Sequence, residues 1–74
     1  MSNEEVARML RKVAKYAREP TPNVPAIKAL LLWLDDSYDT TYQDPIRQVK
    51  QWVKAGNFET VATWAESEAD DWSD

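Results

Sequence analysis

NFETVATWAESEADDW, residues 57–72, decides between a three-helix chain with an acidic tail and a four-helix domain. From residue 64 to the end there are five acids and no base, which by charge alone is the composition of a solvated tail. The apolar residues say otherwise. Phe58, Val61, Ala62, Ala65, Ala69 and Trp72 recur at i, i+3, i+4, i+7, i+11 and i+14, a spacing that places them on one face of an α-helix. A solvated tail has no reason to hold that period. The stretch is therefore expected to form a helix near 58–71, capped by Asn57, with the chain fraying from residue 73.

Reading backward, Gly56 is the only glycine in the chain and follows Lys54 and Ala55 directly. That is where a left-handed residue ends a helix. The preceding helix is expected near 45–55, with Asp44 as cap and Pro45 at the first helical position. Ile46, Val49 and Val53 should face inward with Trp52 beside them. Farther back, the run from Ala26 to Leu34 is almost entirely apolar. Leucine and alanine outnumber β-branched residues there, which favours helix over strand. A second helix is expected near 25–36, capped by Asn23 with Pro25 in its first turn. Its composition predicts a central helix, covered on most sides by the other elements or by a second subunit. EPTPNVP, residues 19–25, connects it stiffly to the first helix, expected near 3–18. There Ser2 and Glu5 fit a capping box, and Pro20 disfavours helical geometry at Glu19. Val6, Met9, Leu10, Val13 and Ala17 form the inward stripe, edged by Tyr16, and Arg8, Arg11, Lys12, Lys15 and Arg18 fall opposite. The expected fold is all-α: one small four-helix domain, residues 1–74, with short connections.

The totals restrict the function classes. Seventy-four residues make one domain, and a chain of this size buries only roughly 60% of its unfolded surface. With neither cysteine nor histidine, no disulfide or Cys/His zinc framework can add stability. Dimerisation can, and the apolar second helix makes a homodimer the favoured state. MSNEEVARMLRK lacks the apolar region of a secretory signal. The longest apolar run, Ala29 to Leu34, is far short of the roughly 20 residues of a membrane span. A soluble, cytoplasmic protein without membrane contact is expected.

An enzyme is disfavoured: there is no histidine or cysteine for base or nucleophile work, and Asp35/Asp36 and Asp70/Asp71 are adjacent in sequence, so on a helix they diverge. No catalytic residue, cofactor or metal is expected. DDSYDTTYQDPI, residues 35–46, departs from a calcium loop at both diagnostic positions, with Thr40 in place of glycine and Ile46 in place of glutamate. Charge is strongly segregated. Residues 1–18 carry five bases and two acids, whereas residues 56–74 carry six acids and no base. Either these two faces neighbour each other, or each recruits an oppositely charged partner. The third helix, Gly56 and the fourth helix resemble a helix-turn-helix in outline. The acids of the would-be recognition helix and the net charge of −4 oppose phosphate. Nucleic acid binding through Arg8, Arg11, Lys12, Lys15 and Arg18 is kept as an alternative.

Aromatic residues beside acids are the remaining signal, since tyrosine and tryptophan dominate protein-binding hot spots. YQDPIRQVKQWVKAGNF, residues 42–58, follows an acidic, tyrosine-bearing loop and resembles a region of the small acidic helical immunity proteins that neutralise nuclease bacteriocins. The resemblance implies inhibitory protein binding and spans about a quarter of the chain. Tyr38 and Tyr42 are four apart where that family has an adjacent pair, and the amphipathic stretch after Gly56 departs from its pattern. No residue role is carried over. The expected function is a non-enzymatic, protein-binding regulator or inhibitor that occludes a partner surface, by analogy with bacterial accessory proteins and phage-encoded inhibitors. The expected surface combines Tyr38, Asp39, Tyr42, Trp64, Glu68 and Asp71. The other alternative is a structural subunit that assembles with itself.

Overall fold

The computed structural model describes residues 3–37 and 43–73. They form four helices in succession: α1 (Asn3–Arg18), α2 (Val24–Ser37), α3 (Gln43–Ala55) and α4 (Phe58–Ser73). No strand occurs among the described residues. The all-α, four-helix architecture is as the periodicity predicts, and α4 runs past Trp72, so residues 64–73 are helix and not tail.

The junctions follow from single residues. Asn23 ties α1 to α2 with three hydrogen bonds. Its N–H donates to the Tyr16 carbonyl at 3.3 Å, satisfying an acceptor in the last turn of α1. Its carbonyl accepts from the Ile27 N–H at 3.0 Å, and its side-chain Oδ1 accepts from the Ala26 N–H at 3.3 Å. This is the expected N-cap. At the other turn, the Gly56 N–H donates to the Val53 carbonyl at 3.1 Å and the Asn57 N–H to the Trp52 carbonyl at 2.8 Å. With Gly56 at φ +79°, this is a Schellman closure of α3. Asn57 also opens α4, its Oδ1 accepting from the Thr60 hydroxyl at 2.8 Å.

One expectation is corrected. α3 begins at Gln43, so Asp44 lies in the first turn and is not its cap. Pro45 is still tolerated there, because first-turn amides have no helical acceptor. The Ser2 half of the expected capping box lies outside the described residues.

The other helices cover α2 over part of its circumference. Ile27, Leu31 and Leu34 are buried, at i, i+4 and i+7, but Lys28, Ala29 and Leu32 are exposed. The most extensive helix pairing is α1 with α4, and α2 packs against α1 and α3. The apolar run of α2 exceeds what one buried face can use, and the remainder turns outward.

The core explains why α1 and α4 pair so closely. Ala7, Ala14 and Ala17 of α1 and Ala62, Ala65 and Ala69 of α4 are all buried, and they are the only buried alanines among the described residues. Small side chains at a contact let two helix axes approach toward the short end of the usual ~8–10 Å range. Ala7 and Ala14 widen the expected stripe on α1, joining Val6, Leu10 and Val13. α2 and α3 contribute Ile27, Leu31, Leu34, Ile46, Val49 and Val53, and no polar or charged residue is buried among the described residues. Trp33, Trp52, Phe58, Trp64 and Trp72 pack against this core while remaining partly exposed.

A β-carbon at position 56 would meet no atom within 4 Å, so Gly56→Ala tests the backbone alone. It should destabilise the domain by about 1–2 kcal/mol, the cost of left-handed geometry for an L-residue. Thermal denaturation should show a fall of roughly 4–8 °C per kcal/mol for a domain of this size.

Candidate functional site

The acids of α4 divide between two edges of the helix. Glu66 forms an ion pair with Arg18 at the end of α1. Ala7, Arg11, Ala14 and Arg18 share one strip of α1 at i, i+4, i+7 and i+11. The ion pair marks this strip as the side of α1 that lies along α4. Trp64 is two positions from Glu66, which at 3.6 residues per turn places it roughly 160° around the helix. Trp64, Glu68 and Asp71 therefore occupy the other edge, at i, i+4 and i+7. The segregated charges thus meet within the fold through Glu66, while Trp64, Glu68 and Asp71 lie along the opposite edge of α4.

On that outer edge Trp64 and Glu68 are half-buried and Asp71 is exposed. A shallow depression of about 550 Å³ lies beside them, lined by Glu59, Thr60, Thr63, Trp64, Ser67 and Glu68. Three of the six residues expected to form a binding surface are thereby brought together on one edge of α4. The other three, Tyr38, Asp39 and Tyr42, lie outside the described residues. So does the middle of the 35–46 stretch compared above with a calcium loop, residues 38–42.

The bases of the alternative face lie at the surface. Arg8, Arg11, Lys12, Lys15 and Arg18 are all exposed, and of these only Arg18 enters an ion pair with a described residue. Among the described residues no group of three or more Asp, Glu, His or Cys is placed to hold a metal ion. No described helix is long and apolar enough to cross a membrane.

The sequence reading missed a second surface. α2 and α3 form a groove of about 640 Å³ lined by Val24, Lys28, Leu31, Leu32, Lys50, Val53 and Lys54. Leu32 is 57% exposed, the only large hydrophobic side chain so exposed among the described residues. Lys50 is 3.7 Å from Asp35, and this solvated pair contributes little. A signal was present: Lys28 interrupts the apolar run one turn before Leu32, and Lys50 and Lys54 stand one turn apart on α3.

Compared with family models, curated proteins and solved structures, the chain matches none of them.

The Arg18 and Glu66 side chains are 52% and 47% exposed, so their pairing should register helices without holding them. A double-mutant cycle with Arg18→Ala and Glu66→Ala should give a coupling below about 1 kcal/mol. Chemical denaturation in low and high salt should show that coupling shrinking as ionic strength rises.

Proposed function

We propose that the chain is a non-enzymatic protein-binding module that regulates or inhibits a partner by covering part of its surface. The observation that carries this reading is the outer edge of α4. It joins a half-buried tryptophan to two carboxylates, at positions 64, 68 and 71, on the side of α4 away from the ion pair with α1. A fixed aromatic side chain costs little entropy to bury against a partner, and acids around it select basic surfaces. The setting proposed is the cytoplasm, since a chain without cysteine is indifferent to a reducing compartment. Small bacterial accessory proteins and phage-encoded inhibitors act in this way, and that step is analogy.

A second reading is favoured by one observation. Arg8, Arg11, Lys12 and Lys15 form an exposed basic strip with no ion pair to a described residue, which is the footprint nucleic acid requires. The acidic α4 alongside opposes it.

Affinity capture from a host lysate should recover one dominant protein. Trp64→Ala, compared below its own melting temperature because Trp64 also packs against the core, and the double change Glu68→Lys, Asp71→Lys should each weaken its binding by about 2 kcal/mol or more. No enriched protein, or full retention by both variants, sinks this reading. For nucleic acid, a gel shift at low salt that Arg11→Glu abolishes is the expected sign, and no shift at low salt ends it.

A further inference from the structure

We infer that the α2–α3 groove is a docking site for an acidic amphipathic helix of a partner protein, with its apolar anchor against Leu32 and its carboxylates on Lys28 and Lys54. This goes beyond the α4 edge and stands even if that reading fails.

The groove combines two chemistries that pick out such an occupant. Its walls are apolar: Val24, Leu31 and Leu32 from α2 and Val53 from α3. Leu32 is 57% exposed, so an apolar group seated there removes from water a surface the fold leaves wet. Three lysines, Lys28, Lys50 and Lys54, line the same groove. They are its only charged lining, in a chain whose net charge is −4. Val24 to Leu32 spans two turns of α2, roughly 12 Å at 1.5 Å per residue. That length suits the i, i+4, i+7 anchors of a bound helix. The volume of about 640 Å³ lies within the range of roughly 300–1,000 Å³ typical of binding clefts.

Charge selects among occupants. A second copy meeting this groove about a two-fold axis would set the same lysines against one another, and like charges facing each other penalise association. Lys28 and Lys54 have no ion pair with any described residue, so a partner's carboxylates would complete them without breaking an internal contact. The occupant is therefore an apolar-faced helix flanked by glutamate or aspartate.

The test uses the full chain and two labelled helical peptides of roughly 14 residues. Both carry leucines at i, i+4 and i+7. One has flanking glutamates and its twin has lysines at those positions. Fluorescence anisotropy should show the glutamate peptide binding at least about tenfold more tightly than the twin. Leu32→Glu should abolish that binding, and Lys28→Glu with Lys54→Glu should reverse the preference between the peptides. All three positions are exposed, so the variants should keep the helical circular dichroism of the parent. Equal binding of both peptides, absence of binding, or indifference to Leu32→Glu each overturns the proposal. So does self-association by sedimentation that Leu32→Glu removes, which would give the groove to a second copy.

Discussion

The alanine-faced packing of α1 on α4 is the constraint from which the rest of the architecture follows. Ala7 and Ala14 lie on the strip of α1 that the Arg18–Glu66 pair joins to α4, and Ala62, Ala65 and Ala69 are the buried alanines of α4; small side chains at such a contact let two helices approach closely. The described tryptophans and Phe58 lie over the margins of the core, each partly exposed. Here aromatic residues seal a thin core more than they fill it. The leucine, isoleucine and valine of α2 and α3 then close the open side of the pair. α2 supplies Ile27, Leu31 and Leu34 to that side, with Val24, Leu30 and Trp33 packed against it in part, while Ala29 and Leu32 remain exposed.

The same pairing governs the charges. Bringing α1 against α4 places Arg18 beside Glu66, and helical geometry then sends Trp64, Glu68 and Asp71 to the far edge. Two acids in one short helix can thus serve different ends according to a difference of two positions in sequence. The solvent exposure of the Arg18–Glu66 pair makes it a weak contributor to stability. Its use is orientation, since it joins the strip of α1 that holds Ala7 and Ala14 to one edge of α4.

The elements that were legible in the sequence share a physical reason: each depends on residues a few positions apart. The helical stripe through Trp72, the Asn23 cap and the stop at Gly56 all involve hydrogen bonds or faces within one or two turns. The burial of Ala7 and Ala14 did not show, because alanine is equally at home on an exposed helix face and its burial depends on which helix lies opposite. How much of α2 its neighbours cover was not legible for a related reason. Hydrophobic content measures how much surface a helix can bury, whereas the neighbouring helices determine how much it does bury. The lysines of the α2–α3 groove were visible singly in the sequence, but Lys28 and Lys54 are far apart along the chain and come to line one groove only through tertiary packing.

The chain thus carries an acid-and-aromatic edge on α4 and a lysine-lined apolar groove between α2 and α3, surfaces of complementary sign on one small body. Complementary patches on the same chain invite head-to-tail assembly, which grows into open filaments unless the rotation closes a ring. Shape opposes that outcome here. The groove is built to receive a protruding apolar anchor, as the exposed Leu32 and the apolar wall indicate. Trp64, the aromatic group on the acidic edge, is instead half-buried against its own core and lies beside a depression lined largely by polar residues. An edge without a projecting anchor cannot fill the groove, so charge complementarity alone does not close the contact. On the two proposals made above, the surfaces suit two different partners, one basic and met by α4, the other acidic and helical and met by α2 and α3.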